Sequence, residues 1–349
     1  MWKRLLTAAI LTTGFISAWI TLDRFPIDVV GQPTATGVIQ RALEKPFFEN
    51  LAATTGLRLD IRYRPSDTLG IKDSHQLTML KEGKLDLVSL RFLQNASSEP
   101  TLLGIDPLGL ATDFKTARAV VDAYAPVLDE RLQQHFNAKL LGAWPVGPQV
   151  FFCRVPVRSL SDIRNLHVRV GNENFSPLIA SFGAKPVVIA FEEVKAALQS
   201  GMIDCAISSA TSAYFAGWGT HTTDLFSLAT HMGINGYVIN LQLWNRLSQS
   251  QQTRLEQAFR QHIEAIWQSV ERIQEEAIAC NTGGPCLDGI ANQLIERKPS
   301  ALDYQLLQQS FDRTTFKDWA ERCDRVHPGC SQDWSRRVAP ILATAGASP

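Results

Sequence analysis

Arg169 is the residue on which a binding chemistry is most readily built. It lies in the apolar run Leu166-His-Val-Arg-Val170, which predicts a buried strand with a guanidinium at its carboxyl end. In open α/β sheets, ligands settle outside the carboxyl ends of the strands. A planar, permanently charged fork there suits a carboxylate held by two parallel hydrogen bonds; on an exposed strand it would be an ordinary surface arginine. Arg154 ends the preceding apolar run, Phe151-Phe-Cys-Arg. Ser208, Ser209 and Thr211 follow an apolar run at 203–207, with Tyr214 and Trp218 behind them. Small hydroxyls backed by rings suit a compact polar acid with some apolar body, although the rings would serve equally for packing between lobes. Asn240 ends the apolar stretch Tyr237-Val-Ile, where a buried amide must find partners. Gln32 follows the first strand and faces such a site from the opposite side. No reaction is suggested by motif: the chain has no G-x-S-x-G elbow, P-loop, G-x-G-x-x-G or H-E-x-x-H. His167, His221 and His231 show no metal spacing and read as packed or solvated side chains, so neither metal nor cofactor is expected.

These residues need a frame. The span from Phe151 to Asn240 alternates strand and helix and is closed by a return strand near 232–242. Before it, strands at 27–30, 57–63 and 85–90 alternate with helices at 35–53 and 74–81, a β-α-β-α-β run that implies a parallel sheet. A helix at 113–136 follows, carrying Ala117, Val120, Val121, Tyr124, Leu128 and Leu132 on one stripe. Pro145-Val-Gly-Pro148 is the crossing from a first lobe to a second. The expected organisation is 25–147 plus 231–260 for lobe one, 148–230 for lobe two, and 261–349 as C-terminal helices packing on both. A helix at 248–279 opens on a Ser248/Gln251 capping box and acts as a strut along the lobes. A further helix is expected at 301–325 and a disordered tail at 343–349.

The 349 residues hold 34 basic and 34 acidic side chains, a balance that argues against a nucleic-acid partner, and a 45% hydrophobic content allows a sizeable core. Met1-Trp-Lys-Arg precedes an uncharged apolar run, so residues 1–24 read as a secretory signal, or as an anchor if uncleaved. Six cysteines fit an oxidising compartment. Cys280 with Cys286, and Cys323 with Cys330, flank short turn-rich loops, and each pair is expected to form a disulfide contributing about 2 kcal/mol. Cys153 and Cys205 lie in apolar strand runs and read as small buried thiols, a bridge between neighbouring strands being the alternative.

Four segments resemble the solute-binding proteins of tripartite ATP-independent periplasmic (TRAP) transporters, of the dicarboxylate-binding DctP type. They are Arg158-Ser-Leu-Ser-Asp-Ile-Arg-Asn-Leu-His-Val-Arg-Val, Phe182-Gly-Ala-Lys-Pro-Val, Glu193-Val-Lys-Ala-Ala-Leu-Gln-Ser-Gly-Met-Ile-Asp, and Asn240 with Trp244-Asn-Arg-Leu. Cys205, Asn165 and Lys195 depart from the common pattern. The resemblance implies an α/β, two-lobed periplasmic binding protein-like (type II) fold with a hinge and a long C-terminal strut helix. It implies a periplasmic protein that captures a small organic acid and delivers it to membrane permease subunits, without catalysis. It places the ligand carboxylate on Arg169, with Arg154, Asn240 and the hydroxyls after residue 207 nearby. Ser89 and Arg91 lie in a turn that lines the cleft in the family, or are plain turn residues; Asn240 either orients the ligand or caps a turn. Glu193 supports the fold. Two other readings are a periplasmic sensing module and an exported hydrolase or lyase on the same scaffold.

Overall fold

The computed structural model describes residues 24–110, 112–286 and 289–345. Apart from Arg24, the leader or anchor read at 1–24 lies outside them, as does the end of the tail. Among the described residues eleven strands form two sheets. The first contains β1 (Phe25–Gly31), β2 (Leu59–Pro65), β3 (Leu87–Arg91) and β4 (Ala138–Pro145). The second contains β5 (Gln149–Cys153), β6 (His167–Val170), β7 (Lys185–Val188), β8 (Cys205–Ser209) and β9 (Asp224–Phe226). The chain then returns to the first sheet as β10 (Ile234–Asn240) and later adds β11 (Ile295–Arg297) to the second.

The orders are β2-β1-β3-β10-β4 and β11-β9-β5-β8-β6-β7. The β-α-β crossovers make β1, β2 and β3 parallel, whereas β10 runs antiparallel to both neighbours. In the second sheet β6, β7 and β8 are parallel and β5 runs antiparallel to β8 and β9. The two antiparallel strands, β5 and β10, are those that immediately follow a passage between sheets. Strand β11 is a departure from the all-helical C-terminal segment expected at 261–349: it pairs parallel with β9 at the edge of the second sheet. Residues 343–345 continue the helix Ala339–Ala345 rather than beginning an unstructured tail.

The helices start where side chains satisfy free N–H groups. Asp113 accepts from Thr116 N at 2.8 Å to open Phe114–Phe136. Ser248 and Gln251 form the expected capping box at the start of Gln249–Asn281. That helix buries Leu255, Phe259, Ile263, Ile266, Val270 and Ile273 in the core of the first lobe. Its last turns reach the second, where Ala277 joins another core cluster and Asn281 Nδ2 donates to Ala210 O at 3.0 Å. Of the C-terminal helices, Ala301–Ser310 packs on the second lobe, where Asp303 Oδ1 accepts from Leu160 N at 2.8 Å, and the later ones fold back onto the first. The indole N–H groups of Trp319 and Trp334 donate to Pro100 O and Gly104 O at 2.9 and 2.7 Å.

His262, on the long helix, stacks on Phe47 at 4.0 Å and meets the Tyr237 hydroxyl at 2.9 Å. Burial pulls its pKa down to about 3 from an ordinary 6.5. The folded state therefore favours the neutral ring, and the stability this contributes is intact above pH 6.5 and is lost as pH falls toward 3. The slope in that window is about 1.4 kcal/mol per pH unit. His262→Gln should lose about 2 kcal/mol less than the parent between pH 6.5 and 5. Urea unfolding at the two pH values measures this, and equal losses in the two proteins would refute it.

Two of the chain passages between the lobes hydrogen-bond to each other. Val146 N donates to Gly233 O at 2.9 Å, Gly147 N to Met232 O at 3.0 Å, and Gln149 N to His231 O at 2.9 Å. Asp106, from the first lobe, accepts from Met232 N and Ile234 N, both at 3.0 Å. Gln274 of the long helix donates to Val146 O at 2.8 Å and to Thr211 Oγ1 of the second lobe at 3.0 Å. Gly147 has φ +121°, and a Cβ there would sit 2.5 Å from the Gln274 side chain. Gly147→Ala should cost about 1–2 kcal/mol through backbone strain alone, read as a lowered urea midpoint; an unchanged midpoint would show that the passage relaxes freely.

Candidate functional site

The sheets meet at a cavity of about 80 Å³, several times the ~10–15 Å³ that one water needs, so it has room for a small solute. The parallel strands β3, β6 and β8 present their carboxyl ends to it, and the antiparallel strands β5 and β10 their amino ends. Arg169, Ser208, Gln32 and Arg91, all singled out from sequence, line it. So do Gln94, Gln149, Ser212, His231 and Asn235, which were not, and the rings of Phe175 and Phe191. No Asp or Glu is among its lining residues.

Arg169 is 5% exposed. Its Nε donates to Ile189 O at 2.9 Å and Nη1 to Ile207 O at 3.2 Å, both carbonyls of its own lobe. These bonds fix the plane of the fork. The remaining Nη2 lies beside Gly171 at the cavity wall, and Phe191 lies 5.9 Å under the guanidinium carbon. Arg169 forms no ion pair among the described residues. Burial, and next Arg91, pull its pKa down to about 9 while Glu192 pushes the other way, so the group remains charged at neutral pH. A buried cation without a counter-ion is costly, and an anion in the cavity would relieve it.

Arg91 is the second cation, but Asp73 already pairs with it at 2.9 Å. Ser208 Oγ has no partner among the described residues. Ser209 lies just beyond the wall: its hydroxyl caps the helix Ala210–Phe215 and donates to Ser212 Oγ at 3.0 Å, leaving the Ser212 proton for the cavity. Thr211 faces Gln274 at the hinge instead. Gln32 has its amide engaged within the first lobe. Nε2 donates to Ser89 O and Oγ at 2.9 and 3.0 Å, and Oε1 accepts from Asn235 Nδ2 at 3.3 Å. Ser89 accordingly stands behind Gln32 rather than on the wall.

Four sequence candidates lie elsewhere. Arg154 is exposed just past the end of β5, against Gly201. Asn240 ends β10, where Oδ1 accepts from Leu243 N and Nδ2 donates to Leu80 O, both at 3.0 Å; it caps the helix Leu241–Asn245. Both misplacements share one cause. Each residue sits at the carboxyl end of its strand, but β5 and β10 are antiparallel, so that end points away from the cavity. Asn235, opposite Arg91 in register, is the amide that reaches the wall. Tyr214 bonds Ile290 O at 3.1 Å on the far side of its helix. Trp218 is buried behind Phe191, and the cavity's rings are Phe191 and Phe175 instead.

Disulfides join Cys280 to Cys286 and Cys323 to Cys330. A third joins Cys153 to Cys205, which face each other across β5 and β8, in place of the free thiols expected there. Among the described residues no group of His, Cys, Asp and Glu is placed to hold a metal ion, and no helix is long and apolar enough to cross a membrane.

The lobes touch on both flanks of the cavity. Ser97 of the first donates to Glu173 Oε1 of the second at 3.1 Å and accepts from Asn174 Nδ2 at 3.2 Å. On the other flank Phe215 packs so closely on Gly37 that a Cβ there would sit 2.2 Å from the ring. Two α/β lobes, joined by a paired hinge and closed over a polar cavity, define a periplasmic binding protein architecture. Within it, this chain belongs to the DctP family, bacterial extracellular solute-binding protein family 7, whose model matches residues 31–281. It is 24% identical over 284 residues to the sialic acid-binding periplasmic protein SiaP of Vibrio cholerae, covering 78% of this chain and 85% of that protein. The fold is similar to that of a Bordetella pertussis extracytoplasmic solute receptor binding pyroglutamic acid, with TM-score 0.79, 18% identity, and 90% and 99% of the two chains covered. It is also similar to a TRAP periplasmic solute-binding protein of Desulfovibrio salexigens with bound orotic acid, with TM-score 0.80, 16% identity, and coverage of 91% and 100%.

Proposed function

We propose that this protein is the periplasmic solute receptor of a TRAP transporter, which holds a small organic acid by its carboxylate on Arg169 and hands it to the membrane permease. The observation that carries this reading is the buried, unpaired guanidinium in a cavity without acidic side chains, walled by both lobes. The acids named for similar structures, pyroglutamic and orotic, are the class of solute such a site takes. Closure acts by population shift: a ligand touching Arg169, Ser208 and Ser212 on one lobe and Arg91, Gln94 and Asn235 on the other stabilises only the closed form. The protein binds and releases its ligand without turning it over. Mass spectrometry of whatever is released on unfolding tests the reading. An organic acid is expected; a neutral or cationic molecule would refute it.

A further inference from the structure

The cavity wall supplied by the first lobe and the hinge carries two hydrogen-bond acceptors whose direction is fixed by the framework behind them. The first is Asn235 Oδ1. Ser89 O can only accept, so Gln32 turns Nε2 toward it, at 2.9 Å. Gln32 Oε1 then faces Asn235 and receives its Nδ2 at 3.3 Å. The Asn235 amide is thereby oriented, and its Oδ1 has no partner among the described residues although the residue is buried on the cavity wall.

The second is His231 Nε2. Thr230 has one hydroxyl proton, and Gln149 O, which can only accept, lies 3.0 Å from it. The hydroxyl proton goes to Gln149 O, which also receives Thr230 N at 2.9 Å, and with it so directed Thr230 Oγ1 accepts from His231 Nδ1 at 3.1 Å, an arrangement that puts the ring proton on Nδ1 and a lone pair on Nε2. Burial lowers the pKa of the ring, with Asp106 opposing, so that lone pair is retained at neutral pH. No described residue donates to Nε2, and the ring lines the same cavity as Arg169.

We propose that the solute carries, besides its carboxylate, a hydrogen-bond donor — a hydroxyl or an N–H — received by His231 Nε2 and Asn235 Oδ1. This rests on the anion reading above and narrows it to hydroxy acids, lactam acids and their like. A plain dicarboxylate turned this way would set oxygen lone pairs against the two acceptors. An acid lacking the donor would leave both unsatisfied in a closed cleft, which should weaken it roughly ten- to hundred-fold.

The test uses matched acids that differ only in the donor: lactate against propionate, malate against succinate, mandelate against phenylacetate, and pyroglutamate against 3-oxocyclopentanecarboxylate. Calorimetric titration should find that the acids which bind are donor-bearing, each at least roughly tenfold tighter than its partner. The His231→Phe/Asn235→Leu double variant should remove that ratio, and Arg169→Met should lose both members of a pair. Donor-free acids binding as tightly as their partners, or a ratio that survives the double variant, would overturn the donor assignment alone. Pairs that Arg169→Met still binds, or a panel in which no acid binds, would overturn the anion reading beneath it. Nitrogen NMR of the ligand-free protein reads the tautomer directly: His231 protonated on Nδ1 is expected, and protonated on Nε2 would overturn the assignment whatever the ligand.

Discussion

Arg169→Met should abolish capture of the acid while leaving the empty protein as stable as before. Truncating one partner of a buried, hydrogen-bonded charge pair costs about 2–5 kcal/mol, or a thirty- to several-thousand-fold rise in Kd. The empty protein tells a different story. There the guanidinium is buried with two carbonyl partners and no counter-ion among the described residues, so an apolar replacement of similar length removes a desolvated charge. Its unfolding free energy should fall by no more than about 1 kcal/mol, because the exchange also removes the cost of burying that charge. Arg169→Lys should recover little, because an ammonium presents a point charge where the site holds a planar fork braced by Ile189 O and Ile207 O. Titration of a bound acid into the three proteins, with urea unfolding of each without ligand, separates the two effects. A Met variant that binds as tightly as the parent would sink the carboxylate clamp.

Loss of the Cys153–Cys205 bridge should be the most damaging of the disulfide removals. The bridge closes a sequence separation of 52 residues, against 6 and 7 for the other two. In the chain-entropy model that corresponds to about 4 kcal/mol against about 2 each. The difference has a functional side. Cys205 lies in β8 beside Val168 of β6, and the next pair in register is Ala206 with Arg169. The bridge therefore ties β5 to the strand that flanks the arginine. The Cys153→Ala/Cys205→Ala protein should show a lower urea midpoint than either the Cys280→Ala/Cys286→Ala or the Cys323→Ala/Cys330→Ala protein. A ranking with the 153–205 pair last would show that loop closure does not govern these bridges.

How much of this was legible in the sequence depended on strand direction. The two lobes, the hinge passage near Pro145–Pro148 and the strut helix follow from periodicity and turn residues, which are local. Arg169 was legible because β6 is parallel and its carboxyl end faces the cavity. Arg154 and Asn240 carry the same kind of signal on antiparallel strands, and nothing within an isolated strand reveals which way its neighbours run. Pairing hides in the same manner: Cys153 faces Cys205 only once the register of β5 on β8 is set. His231 and Asn235 lie at a chain passage, where no periodicity marks a buried face, and metal spacing is no guide to a histidine whose ring lines a cavity beside Thr230. The segment of β11 is three residues long, too short for an alternating pattern to show.

The position of β10 between β3 and β4 has a consequence for the order in which the molecule can form. Residues 25–145 contain four of the five strands of the first sheet, yet β3 and β4 do not touch; each bonds only to β10 on that side. During synthesis the first lobe thus waits with a slot in its sheet while the whole second lobe is made, and Ser89 pairs with Tyr237 only afterwards. Trp319 and Trp334 arrive later still to cover its core. Such distant pairings slow folding and leave unpaired edges exposed meanwhile. The second lobe, whose β5 to β9 follow one another in the chain, is free to assemble first and bring the two halves of the slot to its rim.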